Sequence, residues 1–120
     1  MCRCASLDAA VEALPTRDAF TTTLDLLEAS TTQWAELMRC RDCGQYWKVE
    51  TGAYRGAEHA FKLSSANDWL VFDERPARAA LLTRIHGGTS SQKCMQAGCS
   101  ARALVNLAFC VQHLETGYKL

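Results

Sequence analysis

The sequence predicts a small α+β fold: a hairpin knuckle with helices over residues 1–88, then a short C-terminal finger over residues 89–120, packed as one compact unit. Three observations carry that expectation. The chain has 120 residues, 48% of them hydrophobic, which is enough for one modest core. Its apolar spacing switches between helix-like and strand-like stretches, with no internal repeat. Its seven cysteines fall, together with one histidine, into four close pairs: Cys2-x-Cys4, Cys40-x2-Cys43, Cys94-x4-Cys99 and Cys110-x2-His113.

Taken in order, residues 6–14 read as a short helix. Ser6 suits the cap, Asp8 places an acid where the helix dipole favours one, and Leu7, Ala10, Val11 and Leu14 recur at helical spacing before Pro15. Residues 17–28 read as a helix on Phe20, Leu24 and Leu27, although the β-branched run Thr21-Thr22-Thr23 favours a strand. Residues 33–39 and 45–50 read as strands leading into and out of the Cys40–Cys43 knuckle. Residues 51–66, with Gly52, Gly56 and Ser64-Ser65, read as loop. Asp68-Trp69-Leu70-Val71-Phe72-Asp73 reads as a strand. Pro76 fits the first turn of a helix through Ala79, Leu82 and Ile85, and Gly87-Gly88 stops it. Residues 89–91 read as a link to the finger. There, residues 101–105 and 107–109 read as a short hairpin turning at Asn106, and Cys110 is expected to open a last helix.

The close pairs are metal-ligand spacings. Four soft or borderline donors in a tetrahedron satisfy zinc, and pairs two to five residues apart supply them. Gly44, after the knuckle, permits the positive φ that turns backbone N–H groups towards the sulfurs. The odd cysteine count fits a disulfide framework poorly, and a reducing cytoplasm keeps such thiols available. A redox C-x2-C of thioredoxin type is the competing reading, but that motif opens a helix, whereas Tyr46-Trp47-Lys48-Val49 looks like a strand. The expected sites are thus Cys2, Cys4, Cys40 and Cys43 for one zinc ion, and Cys94, Cys99, Cys110 and His113 for a second. Cys2 and Cys4 enter by need, since Cys40 and Cys43 lack two ligands. His59 and His86 are the rivals for that role, each more simply read as a solvated surface histidine. Iron is the alternative ion for a Cys4 set. A knuckle, a hairpin and a helix carrying the last two ligands make the C-terminal finger a treble-clef arrangement.

Eight ligands for two ions leave no coordination position for water or substrate, which argues against metal catalysis. The chain also lacks H-E-x-x-H, the deaminase signature, a G-x-S-x-G elbow and a phosphate-binding glycine loop. The expectation is a non-enzyme. No stretch approaches the roughly 20 apolar residues of a membrane span, and the N-terminus lacks the apolar run of a secretory signal, so the expected location is the cytoplasm.

Formal neutrality hides an uneven charge. Residues 1–74 carry seven Lys/Arg against twelve Asp/Glu, a net −5, and residues 75–120 carry six against one, a net +5. Zinc thiolate sites shift these to about −7 and +4. The basic half, with Arg75, Arg78, Arg84, Lys93 and Arg102, supports a nucleic-acid-binding regulator as the alternative function. The acidic half, with Trp34, Tyr46 and Trp47 around the knuckle and aromatics among acids at 68–74, supports a protein-binding role towards a basic partner.

The run Trp34-x2-Leu37-x2-Cys40-x2-Cys43-Gly44-Gln45-Tyr46-Trp47 resembles the knuckle of small bacterial zinc-containing proteins, some of them similar to immunity proteins of polymorphic toxin systems. The resemblance covers about residues 34–50 and carries over only the ligands Cys40 and Cys43. It implies a protein that binds and blocks a toxin made by its own cell. An acidic surface would suit a basic toxin.

Overall fold

A computed structural model of the chain describes residues 2–13, 20–51 and 58–115. The chain divides into two compact units, Met1–Glu74 and Arg75–Leu120. Both helix and strand are present, with strand dominant.

The first unit is built on a five-stranded antiparallel sheet. Its strands are β1 (Ala10–Ala13), β2 (Leu24–Ser30), β3 (Ala35–Cys40), β4 (Tyr46–Glu50) and β5 (Glu58–Leu63), in the spatial order β1-β5-β4-β3-β2. Strands β3 and β4 are the two arms predicted on either side of the knuckle, with Met38 opposite Trp47 and Arg39 opposite Tyr46. Side chains of a strand alternate between its faces, and both faces of this sheet are covered. Leu24, Met38, Cys40, Trp47, Val49 and Ala60 bury one face, with Cys2, Leu7, Val11 and Phe20 packed on them. Ala35, Leu37, Leu63 and Trp69 bury the other, with Tyr46 and Phe72 beside them.

This two-sided burial explains where the predicted elements fail. Residues 6–14 do not form a helix: Cys4–Ser6 is a short 3₁₀ turn and residues 10–13 are β1, with Ala10 opposite Phe61. Leu14 lies outside the described residues. The predicted helix over 17–28 is instead a 3₁₀ turn at Thr21–Thr23 followed by β2, while residues 17–19 lie outside the described residues. A backbone ladder along β3 outweighs a helical spacing of only three apolar residues. The loop predicted over 51–66 contains β5, which pairs with both β1 and β4. The strand predicted over 68–73 is a 3₁₀ turn, Trp69–Val71, entered through Asp68 at φ 56°. The indole N–H of Trp69 donates to Glu28 Oε2 at 2.9 Å, which fastens this turn across the sheet.

The second unit opens with α1 (Arg75–Ile85), in which Pro76 occupies the first turn as predicted. The Gly87-Gly88 stop is a Schellman closure. Gly87 N–H donates to Arg84 C=O at 3.2 Å, Gly88 N–H donates to Thr83 C=O at 2.9 Å, and Gly87 stands at φ 81°. The predicted link at 89–91 belongs to β6 (Thr89–Lys93), which pairs antiparallel with β7 (Arg102–Leu104). The finger's hairpin is therefore β6–β7. The turn at Asn106 exists, at φ 63°, but residues 107–109 return without forming a strand, held by Leu104 N–H to Phe109 C=O at 3.0 Å. Helix α2 (Val111–Glu115) follows Cys110 and packs on α1.

Phe61 sits wholly buried on β5, opposite Ala10 on one side and Lys48 on the other. Phe61→Ala should lower stability by about 3–5 kcal/mol, read as a shifted urea midpoint with little change in slope.

Candidate metal centres

Each ligand quartet forms at the tip of a hairpin and is completed by a second pair from another segment. In the first, β3 ends on Cys40 and the chain turns back into β4. Cys40 N–H donates to Gln45 C=O at 2.9 Å and Gly44 N–H to Cys40 C=O at 3.0 Å. Gly44 stands at φ 79°, which favours glycine; a β-carbon there would meet only the flexible end of Arg39, Nη2 at 3.0 Å, so it is the turn that calls for glycine. The missing pair comes from the N-terminal 3₁₀ turn. Leu7 N–H donates to Cys4 C=O at 3.1 Å, and the Lys62 ammonium donates to Leu7 C=O, tying that turn to β5. Cys2, Cys4, Cys40 and Cys43 then present sulfurs that all lie within 4.8 Å of one another. His59 and His86 do not join them.

The second quartet assembles in the same way. Cys94 follows β6, and Gly98 at φ 79° turns the chain to Cys99 before β7. Cys94 N–H donates to Ala101 C=O at 2.8 Å, and Met95 N–H to Ala108 C=O at 2.9 Å, which hold both arms of the loop. Cys110 stands just before α2 and His113 lies one turn into it, so the i, i+3 spacing puts both on one face. His113 Nδ1 is 3.3 Å from Cys94 Sγ and 3.2 Å from Cys110 Sγ, and Cys99 Sγ is 3.9 Å from Cys110 Sγ.

These separations fit an ion. Tetrahedral zinc, with bonds of about 2.3 Å to sulfur and 2.0–2.1 Å to nitrogen, spaces two sulfurs about 3.8 Å apart and sulfur from nitrogen about 3.5 Å. All seven cysteines are free thiols. Each group of four can hold a metal ion.

The thiols are electrostatically unequal. Burial pushes Cys40 up, but the N–H groups of Cys43 and Asp42 and the thiols of Cys4 and Cys43 outweigh it, leaving Cys40 lowered to about 7. Burial likewise opposes ionisation of Cys94, yet backbone hydrogen bonds involving Cys110 and Gln96, with the Cys110 and Cys99 thiols, lower it to about 6. Burial carries Cys4 up to about 12, against the pull of the Trp47 indole. Each quartet thus has one thiol prepared as a thiolate and others that donate to it.

Trp47 is a member of the first site that spacing did not reveal. It is 0% exposed, its ring meets Phe20 edge-on at 4.8 Å, and its indole N–H has no hydrogen-bond acceptor at good geometry. Its one marked electrostatic effect on the site is to favour the Cys4 thiolate. Ionising Cys4 would give that buried N–H the acceptor it lacks.

His59 corrects another expectation. It is buried on β5, at 1% exposure, with its backbone N–H donating to Glu50 Oε1 at 3.3 Å and its ring Nδ1 3.6 Å from the same oxygen. Its place on β5, between β1 and β4, makes it an interior residue, which the glycines preceding β5 obscured. His86, half-buried, follows α1 and donates its N–H to Leu82 C=O.

Two outcomes test this geometry. Trp47→Phe should weaken metal binding at the first quartet about 10–100-fold and leave the second unchanged, measured by competition with a chromogenic chelator. Cys43 is exposed, whereas no ligand of the second quartet is. Excess chelator should therefore remove the first ion faster, seen as two phases of release.

No protein family, curated protein or solved structure compared with this chain matches it.

Proposed function

We propose that the chain is a non-enzymatic protein in which two structural zinc ions brace surfaces for binding another protein. The convergence of each quartet within 4.8 Å carries this reading. Thiolate-rich tetrahedral sets favour zinc over hard cations, and four protein donors per ion leave no position for a substrate. The hairpin-borne knuckle of the first unit supports a ribbon-like site. The β6–β7 loop and α2, which share the second quartet, support a treble-clef-like finger. Among the described residues no helix is long and apolar enough to cross a membrane, and seven free thiols suit a reducing cytoplasm.

The partner is a basic protein, and the most concrete form is a toxin of the bacterium that makes this chain, with the chain acting as its immunity protein. The first unit supplies the complementary charge, a net −5 before any metal is counted. A second reading rests on a separate observation. Lys93 and Arg102 are cross-strand partners, both exposed, beside the second quartet, and such a pair suits phosphate contact by a nucleic-acid-binding regulator.

Elemental analysis should find two zinc ions per chain; iron in the first site would replace zinc there and leave the scheme intact. Structural zinc supplies about 10–16 kcal/mol of apparent binding free energy at neutral pH, against a net stability of roughly 5–15 kcal/mol for a domain. Chelation verified by metal assay should therefore unfold at least the second unit, and an unchanged melting curve would defeat the structural role. Mobility-shift titrations separate the two partner readings. Salt-sensitive retardation of nucleic acid that disappears in the Lys93→Ala/Arg102→Ala variant favours the regulator. Its absence, together with protection of cells from a toxin encoded beside the chain, favours immunity.

A further inference from the structure

We propose that β2, at the open edge of the five-stranded sheet, is the docking strand for an extended segment of the partner protein carrying Lys or Arg, with Trp34, Leu70 and Val71 as flanking anchors. The inference rests on the protein-binding reading and assigns it a surface. Among the described residues β2 pairs with β3 alone, at the end of the sheet order. Its residues 25–29 are all exposed. A bulge between Leu26 and Glu28 sets two residues of β2 against the regular register of β3, and both Leu26 and Leu27, the latter 48% exposed, stand in solvent. Proteins ordinarily protect an edge strand with charges, proline, a bulge or a cover; the two acids and the bulge of β2 disfavour pairing with a like strand, while its exposed leucines leave an apolar surface for a strand of opposite charge.

The flanking residues belong to the same rim. Trp34, 63% exposed, begins the return into β3 at φ 53°, a strained conformation for a bulky side chain, and its C=O is held by Thr51 N–H at 2.8 Å. The Gln33 side-chain amide donates to Leu70 C=O at 2.7 Å, and the Trp69 indole reaches Glu28. Those two bonds bring Leu70 and Val71, the latter 78% exposed, to the β2 edge.

Charge selects the occupant. The segments that build this rim, residues 24–41 and 63–74, hold six acids, Asp25, Glu28, Glu36, Asp68, Asp73 and Glu74, against Arg39 and Arg41; Arg41 Nη1 already holds Asp25 at 2.9 Å and Lys48 stands 3.6 Å from Glu74, and the two segments remain net −4. A second copy of β2 would set acids near acids across a bulged strand. Nucleic acid and anionic lipid would be repelled. An alternating apolar and basic strand would gain ladder hydrogen bonds, apolar contacts and charge complementarity together.

The test uses the full, zinc-loaded chain, ¹⁵N-labelled, and a synthetic hexapeptide Val-Lys-Val-Lys-Val-Arg, with the same peptide carrying Glu for each base as control. The basic peptide should shift the amides of residues 25–29 and the Trp34 indole and slow their hydrogen exchange. Leu27→Lys and Val71→Lys should each weaken it at least tenfold while keeping metal content and melting temperature. Shifts confined to other surfaces, no shift at millimolar peptide, or equal binding of the acidic peptide would overturn the assignment. So would a β2-dependent dimer in sedimentation. A natural protein partner whose binding survives both substitutions would overturn this surface while leaving the protein-binding role standing.

Discussion

Four sulfurs, or three and an imidazole, held within 4.8 Å pose an electrostatic problem that governs everything built around them. Without a cation, each further thiolate is opposed by the charge already there. The first quartet reflects this: Cys40 is lowered to about 7 while Cys4 is carried up to about 12 and Cys2 is also raised. In the second, Cys94 falls to about 6 while Cys99 rises. A divalent ion removes the conflict by letting all the thiols ionise at once, and its binding energy becomes folding energy. Binding an ion would therefore commit the segments that converge on each quartet to one geometry.

That geometry is reached twice by the same device in sequences with different spacing. A hairpin turns through a glycine at positive φ, placing two ligands at its tip, and a second pair approaches from a segment outside the hairpin. The approaching segment is the N-terminal 3₁₀ turn in one case and the start of α2 in the other. The two differ in exposure. The first site has Cys43 in solvent and relies on neighbours such as Trp47 and the anchored N-terminal turn. The second packs its ligands between a loop and a helix.

The ligands were legible because metal chemistry writes itself into local spacing. Cys40 and Cys43, or Cys110 and His113, must be neighbours on a turn or a helix face whatever the rest of the chain does. The strands flanking the knuckle and the helix between Pro76 and Gly87 were legible for similar local reasons. The sheet was not. Ala10, Val11 and Leu24 have helical spacing in the sequence, but their partners Phe61, Ala60 and Cys40 lie far along the chain. Burial on both faces also erases the alternation that marks a strand: Leu37 and Met38 are adjacent and both buried. Histidine 59 and Trp47 became informative only once the sheet had surrounded them.

If each quartet closes on an ion, any activity lies on the surfaces around the sites, and the sheet shows which surfaces those are. Strand β1 covers one side of β5, and the 3₁₀ turn at Trp69 covers the second face, so the interior of the first unit is spent on packing. Lys48, buried there, is matched by Gln33 at 2.9 Å and Glu74 at 3.6 Å, a structural use of charge. Among the described residues of the first unit, what packing leaves over is the β2 rim, where apolar side chains and acids meet solvent side by side. A fold that needed only stability would bury Leu27 or replace it, because an exposed leucine on an edge strand invites aggregation and contributes little to the core. Its exposure is intelligible if the cost is recovered on contact with another chain, and the hairpin β3–β4 beside it, with four potential metal ligands at its tip, would keep that edge in place.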